Sequence, residues 1–461
     1  MLFTNESNYD WSNIDEYIIK KEYLMALSEI NRILPSFTKP IDKFFAYYKI
    51  SYCYIYKKDL KSAIEPLQNA YNFKFLINDK NLIYDNTLQL AIVYIKEQTI
   101  IKALPLLEEI INELDNLQFS ISLIEANKER RVKNKAFYWL GKSYWLGGDL
   151  PKALHYFQRN LMLSKVLVNS DDILQALISL GEVYRAQGQL TKALQFFQES
   201  FRFINKNQDN YIESDLNMFI GHVYRDKGKF KQALEKYNLA FSSFKPKKTE
   251  NSEKIAELIF NILRINHRLG YQEESESYLM KEFPLNSISK PKIVAYKHFI
   301  DYLTAFKRKH WSKAQETIEN AQNILGLDFN YQIFCYESLA EIGLSQWMEN
   351  KKDSSSLAFV YSKLDSIKKI SMKNNLVASL SKAIFIQAKL SSGLKKYNEA
   401  ETLFQESLSI ANRYDLEAIK KKAHLELRSL KHKKDSQESE SQIIDSEIEE
   451  IQKLLHIFGE D

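Results

Sequence analysis

The stretch that decides the fold is FYWLGKSYWLGGDLPKALHYFQRNL at residues 137–161. It recurs without gaps as LISLGEVYRAQGQLTKALQFFQESF at 177–201 and as NMFIGHVYRDKGKFKQALEKYNLAF at 217–241. Each copy begins 40 residues after the one before it. Self-similarity at a fixed period of this length is the signature of a repeat architecture. The stretch therefore predicts a solenoid built by stacking one supersecondary unit.

Each copy is predicted to form two helices, because its apolar residues recur at i, i+3, i+4 and i+7. Glycine costs about 1 kcal/mol relative to alanine inside a helix, so the first glycine of each copy predicts a close neighbour. The second glycine predicts a helix end in the left-handed conformation. The shared glycine, tyrosine, glycine, alanine and aromatic positions are Gly141, Tyr144, Gly148, Ala153 and Phe157; Gly181, Tyr184, Gly188, Ala193 and Phe197; and Gly221, Tyr224, Gly228, Ala233 and Tyr237.

Weaker copies extend the array in both directions. Ala63 and Ala103 stand 40 residues apart in similar surroundings, and Ala314 and Ala400 mark further copies. We expect about ten units between residues 10 and 430. The polar, proline-containing segment near 285–292 suggests a division into arrays at 10–282 and 293–430, which we expect to be continuous.

Composition favours long helices and gives little sign of catalytic chemistry. The 461 residues include only 12 glycines and 8 prolines, and 64 basic against 59 acidic residues leave a net charge of +5. Cys53 and Cys335 form no metal-ligand or disulfide pattern, which predicts a reducing, cytoplasmic location. We find no phosphate-binding loop or hydrolase motif, and no apolar run long enough for a membrane span. We expect no catalytic residues, no cofactor and no metal.

The repeat frame resembles the tetratricopeptide repeat (TPR). Its period of 40 residues is similar to the long-helix repeats of kinesin light chains and of bacterial peptide-sensing regulators. The resemblance implies an all-α superhelical solenoid of antiparallel helix pairs. It also implies a non-enzymatic scaffold that binds a peptide or protein segment in a concave groove.

The resemblance further implies that the first helix of each unit lines that groove. The positions expected to face it follow the repeat glycine and tyrosine or precede them by one turn. They are Tyr138, Lys142, Trp145, Ile178, Glu182, Arg185, Met218, His222 and Arg225. The alternative is that Arg185 and Glu182 merely form surface ion pairs, each of little energetic value.

The C-terminal region is not explained by the repeat. Residues 435–442 read as a flexible, acidic and serine-containing linker, and residues 443–458 as an amphipathic helix. That helix could cap the solenoid by folding back on the last unit. It could instead dock in the groove of its own array or of a partner, or the tail could be disordered.

Three functions remain open from the sequence. The first is the peptide- or protein-binding scaffold, whose partner the sequence does not identify. The second is a regulatory or signalling module gated by its C-terminal helix. The third is a helical-repeat RNA-binding protein with Lys142, Arg185 and Arg225 as phosphate contacts, which the near balance of charge disfavours.

Overall fold

A computed structural model describes most of the chain. The described residues are 9–116, 123–204, 211–244, 251–269, 290–325, 329–351 and 353–435. Within these ranges the regular structure is helical and there is no β-strand. The all-α prediction is therefore confirmed.

The chain divides into two compact units, Met1–Ser179 and Leu180–Asp461, and the division falls inside one helix, α9. Unit 1 holds α1 (Ser12–Ile19), α2 (Tyr23–Ile33), α3 (Pro40–Tyr56), α4 (Leu60–Tyr71), α5 (Lys80–Lys96), α6 (Ile100–Asn116), α7 (Leu123–Leu146), α8 (Leu150–Val166) and the first part of α9 (Ser170–Ala186). Unit 2 holds the end of α9, α10 (Leu190–Ser200), α11 (Tyr211–Asp226), α12 (Phe230–Phe244), α13 (Ser252–Leu269), α14 (Pro291–Lys307), α15 (Trp311–Leu325), α16 (Phe329–Glu349), α17 (Ser354–Asn374), α18 (Val377–Gly393), α19 (Tyr397–Arg413) and α20 (417–435).

Consecutive helices pack as pairs, and successive pairs stack on one another. Pairs such as α3–α4, α7–α8, α11–α12 and α18–α19 each consist of a first helix that ends in a tight turn and a second helix that returns beside it. The fold is the predicted TPR-like solenoid of antiparallel helix pairs. We keep the terms first helix and second helix below.

The helical glycines of the clear repeats face aromatic rings at very short distance. A methyl group placed on Gly141, Gly181 or Gly221 would lie 2.6, 2.5 or 2.6 Å from the ring of the repeat aromatic residue on the second helix. Those rings are fully buried and have no room to retreat. The predicted close approach is confirmed, and the neighbour is the repeat aromatic itself.

The second glycine of each clear repeat has the predicted left-handed backbone. Gly148, Gly188 and Gly228 have φ values of 70°, 76° and 77°. After α9, the amide of Gly188 donates to the Arg185 carbonyl at 2.9 Å, and the amide of Gln189 donates to the Tyr184 carbonyl at 2.8 Å. This pair of bonds is a Schellman motif, which satisfies the last carbonyls of the first helix.

Some predicted boundaries lie wholly or partly outside the described residues. Most of the 285–292 segment falls there, and the division into arrays at 10–282 and 293–430 stays a prediction. The proposed linker at 435–442, apart from Asp435, and the amphipathic helix at 443–458 also lie outside the described residues.

Candidate functional site

Two arginines that share one aspartate join α9 and α11, which are the first helices of two successive helix pairs in unit 2. Arg185 on α9 donates from Nη1 to Oδ2 of Asp226 on α11 at 2.9 Å. Arg225 donates from Nε and Nη2 to Oδ1 of Asp226 at 2.9 and 2.7 Å. Burial alone would raise the pKa of Asp226, but the two guanidinium groups hold it at about 2. The carboxylate is therefore ionised at neutral pH and neutralises one of the two positive charges.

A buried histidine forms the next link, from α11 to α13. Nδ1 of His222 lies 2.7 Å from the hydroxyl of Tyr237, and Nε2 lies 3.3 Å from Oε1 of Glu257. Burial lowers the pKa of His222 to about 4, so the ring is neutral at pH 7. The tautomer that satisfies both partners carries its proton on Nε2, which donates to Glu257 while Nδ1 accepts from Tyr237.

Glu257 in turn is held as an anion. Its burial would raise its pKa, but the hydrogen bond from His222, nearby positive charge and a hydrogen bond from Tyr296 on α14 lower that pKa to about 2. The Tyr296 hydroxyl pairs with the Tyr331 hydroxyl on α16. Each of these contacts connects one first helix to the next.

Two further contacts complete the series. Nη1 of Arg225 donates to Oδ1 of Asn261 on α13. Nζ of Lys382 on α18 lies 3.1 Å from carboxylate oxygens of both Glu337 and Glu341 on α16. We call the whole series the first-helix network. It comprises Arg185, His222, Arg225, Asp226, Glu257, Asn261, Tyr296, Tyr331, Glu337, Glu341 and Lys382.

Several buried polar atoms on the first helices of unit 2 have no hydrogen-bond partner among the described residues. They are Nε of Arg185, Oδ1 of Asp215 on α11 and Nδ1 of His298 on α14. Buried polar groups in proteins are nearly always satisfied by protein, water or ligand. An additional hydrogen-bonding group would satisfy each of these atoms.

The structure brings three of the predicted groove residues into one network, namely Arg185, His222 and Arg225. Arg185 pairs with Asp226 rather than standing only as a surface cation. Met218 is buried in the hydrophobic core of unit 2, and Glu182 is half-buried. In unit 1, Trp145 is buried, and Tyr138, Lys142 and Ile178 are half-buried. Their assignment to a peptide groove stays a prediction.

Sequence reasoning missed the acidic and amide partners of these residues. Asp226 directly follows Arg225, so its position at the end of a first helix was a usable signal. Glu257 and Asn261 are spaced i, i+4 on α13, which places them on one helical face. The repeat frame is too degenerate around α13 to have assigned that face to the network.

The described residues contain neither a cluster suited to a metal ion nor a helix suited to crossing a membrane. No group of three or more histidine, cysteine, aspartate or glutamate side chains in the described ranges could hold a metal ion. Among the helices described here, none combines the length and apolarity that crossing a membrane requires.

Residues 134–206 match the family model of the tetratricopeptide repeat. The match covers the whole of the first two clear repeats, 137–161 and 177–201. The chain is a TPR-like repeat protein. No curated protein matches the TPR-like chain as a relative.

Solved structures resemble the TPR-like chain in fold. A Rap protein complexed with Competence and Sporulation Factor shares 14% identity, with a TM-score of 0.55, over 81% of this chain and 98% of that one. A putative kinesin light chain repeat protein from Podosopora anserina shares 14% identity, with a TM-score of 0.36, over 44% and 95% of the two chains. Aspartyl phosphate phosphatase F from Bacillus subtilis shares 12% identity, with a TM-score of 0.46, over 80% and 93%.

Proposed function

We propose that this protein is a non-enzymatic scaffold that binds an extended peptide or protein segment along the first-helix network of unit 2. The observation that carries the proposal is the series of polar contacts that joins successive first helices from α9 to α18. A row of alternating donors and acceptors fits the regularly spaced amides and carbonyls of an extended chain. The resemblance of the fold to a Rap protein solved with a bound factor supports a binding role.

Arg185 is the favoured anchor for such a ligand. Its side chain keeps 17% of its surface exposed, and its Nε is buried without a partner among the described residues. A carboxylate or main-chain carbonyl of the ligand would satisfy that N–H, while Nη1 remains on Asp226. Charge-assisted hydrogen bonds of this kind are about twice as strong as neutral ones.

The network is better suited to binding than to catalysis. Both ring nitrogens of His222 are already engaged by Tyr237 and Glu257, and the ring is buried. The pKa values of Asp226 and Glu257 lie near 2, far from the range in which a general acid or base works at neutral pH. These features support a scaffold that holds its partner without transforming it.

We also propose a cytoplasmic location and a protein rather than a nucleic-acid partner. Burial raises the pKa of the free thiols Cys53 and Cys335 to about 11 and about 12, which makes both unreactive. The Arg185 and Arg225 side chains are only 17% and 16% exposed and both pair with Asp226, so they form no open basic surface for a row of phosphates. Gating by the helix at 443–458, including its docking within the chain, stays a hypothesis about residues outside the described ranges.

A displayed random-peptide library selected on the full-length protein tests the proposal. Selected peptides should bind wild-type protein, and Arg185→Glu should weaken them at least tenfold, which corresponds to about 1.4 kcal/mol. The matched control is Lys231→Glu, which makes the same charge change on an exposed position of the second helix α12. Circular dichroism verifies that both variants are folded.

The outcomes separate the alternatives. Equal weakening by the two variants would show a non-specific charge effect and would sink the assignment to the first-helix network. Tight binding of single-stranded RNA with a steep salt dependence, abolished by Arg185→Glu, would favour the RNA-binding alternative instead.

A further inference from the structure

Unit 2 contains a contact that a linear stack of repeats does not produce. In solenoids each repeat ordinarily touches only its neighbours. Here the turn after α9 reaches the beginning of α18, because Gly188 lies against Val377. The turn after α11 likewise reaches the beginning of α20, because Gly228 lies against Ala418. We call these two contacts the clasp.

The clasp is tight enough to exclude side chains on the turns. A methyl group on Gly188 would overlap Cγ2 of Val377, and its carbon would lie 3.8 Å from Cβ of Val377. A methyl group on Gly228 would lie 2.9 Å from the backbone nitrogen of Ala418. Glycine is therefore required at both turns by the limited space, and it also adopts the positive φ of these turns without strain.

An ion pair accompanies the second contact. Nζ of Lys227, beside Gly228, lies 3.6 Å from Oδ2 of Asp415 and 3.2 Å from Oγ1 of Thr191. Lys227 is only 8% exposed although it sits on a turn, whereas the Asp415 side chain is 60% exposed. Lys420 also lies 3.7 Å from Asp415. Two glycine contacts and a partly solvated ion pair therefore join these turns to the ends of α18 and α20.

The clasp is directly attached to the first-helix network. The amide of Gly188 donates to the carbonyl of Arg185, and the amide of Gly228 donates to that of Arg225, each at 2.9 Å. Asp226 belongs to the network, and Lys227, the next residue, belongs to the clasp. A movement of either turn therefore moves a guanidinium group of the network.

In the structure, several network residues are almost inaccessible. Asn261 is 2% exposed, His222 3% and Glu337 8%. A peptide reaching these side chains needs the unit to open first. We propose that the clasp is a gate, which must open for a ligand to enter the first-helix network and which closes over it. This inference rests on the proposed binding function.

A disulfide tests the gate. The separation of 3.8 Å between the two Cβ positions equals the usual Cβ separation of a disulfide, so the pair Gly188→Cys with Val377→Cys should cross-link under mild oxidation. The native thiols Cys53 and Cys335 are buried and do not compete. Either single cysteine variant serves as the matched control.

The readout is the association rate of a peptide from the displayed-library selection, measured on the oxidised and the reduced double variant. We expect association to be at least tenfold slower when the disulfide is formed, with full recovery on reduction. Failure of a folded double variant to cross-link would overturn the clasp itself. Equal association rates in the two forms would overturn the gate while leaving the binding function intact.

A second pair of variants keeps the inference testable if cysteine at the positive φ of Gly188 unfolds the turn. Lys227→Glu should open the clasp and raise the association rate several-fold, and Lys227→Glu with Asp415→Lys should restore it. The control is Lys229→Glu, an exposed residue two positions along. No difference between Lys227→Glu and Lys229→Glu would contradict the gate. Absence of any binding peptide would instead reject the proposed function on which it rests.

Discussion

Unit 2 contains two kinds of helix pair, which form the same repeat from different residues. In α9–α10 and α11–α12, a glycine seven residues before the left-handed turn faces an aromatic residue nine residues after it, as Gly181 faces Phe197. In α14–α15 the left-handed residue is Lys309, and the equivalent positions hold Tyr302 and Ile318. Both Tyr302 and Ile318 are buried in the core of unit 2.

The difference teaches that the repeat requires close packing between its two helices, not a particular residue type. Where the first helix contributes no side chain, the second contributes a large ring. Where the first helix contributes tyrosine, the second contributes a smaller aliphatic residue. Packing at the density of a crystal requires the space between the two helices to be filled, and a side chain of either helix can fill it.

The left-handed position of the turn also accepts different residue types, except where another helix end covers it. Lys309 has φ 59° and makes the same pair of turn hydrogen bonds as Gly188, through its own amide and that of His310. Lys309 is exposed, whereas Gly188 lies against Val377. The repeat therefore tolerates a lysine in the left-handed conformation, and glycine is indispensable only where another helix end covers the turn.

The largest effect on stability should come from His222 on α11. The equivalent position on α14 is Leu303. Burial lowers the pKa of His222 from 6.5 to about 4, so the unfolded chain takes up a proton between these values and the folded chain does not. Stability is therefore complete above pH 6.5 and falls with pH, by about 3 kcal/mol near pH 4. Urea denaturation of wild type and His222→Gln at pH 7 and pH 4 measures this. A pH dependence that is the same in both proteins would contradict it.

Disturbing the contact between Gly181 and Phe197 should lower the stability of the fold by nearly as much. Gly181→Ala gains helix propensity but drives a methyl group into the Phe197 ring, and overpacking of this kind costs about 2 kcal/mol. Gly181→Ala with Phe197→Leu should recover most of the loss, because the smaller side chain makes room for the added methyl group. The midpoint of urea denaturation reports both. Stabilisation by Gly181→Ala alone, as in an ordinary helix, would refute the packing argument.

The turn under the clasp should be less tolerant than the exposed turn. Gly188→Ala places a Cβ in the left-handed conformation, at a cost of roughly 1–2 kcal/mol, and also against Val377. Gly188→Ala with Val377→Ala should recover the part due to the contact. Thermal unfolding of the three proteins separates the two contributions, and an unchanged cost in the double variant would mean that the contact is unimportant.

The smallest expected effect is a gain in stability. Lys309→Gly removes the left-handed strain from an exposed residue with no other role in the turn, and should stabilise by up to about 1 kcal/mol. Lys395→Gly, at the equivalent exposed turn after α18 with φ 62°, is the matched replicate. Loss of stability in both would show that the lysines make contacts that compensate for their conformation.

The comparison also explains how far the sequence could be interpreted. The period, the tight glycine contacts and the left-handed turns follow from residues repeated within one stretch of chain, and all three are found in the structure. The α14–α15 pair escapes the glycine frame because Tyr302 and Ile318 exchange the sizes of the two partners. The first-helix network escapes it because Glu257 and Asn261 acquire their partners only when successive helices are stacked, which no local pattern encodes.

The clasp is even harder to predict from the sequence than the first-helix network. Gly188 and Gly228 could be assigned to turns, but the turn requirement already accounts for glycine there. Their second requirement, the proximity of Val377 and Ala418, depends on how much each helix pair rotates relative to the last. Small rotations add up over the intervening pairs, so the contact is a property of unit 2 and not of any one repeat.

The most direct test of the proposed binding role is to locate a bound peptide. A peptide from the displayed library, carrying a photoreactive residue, is cross-linked to the full-length protein and the attachment sites are mapped by mass spectrometry. The account predicts attachment on the first helices of unit 2, around Arg185 on α9 and Arg225 on α11. Attachment confined to second helices such as α10 and α12 would contradict it.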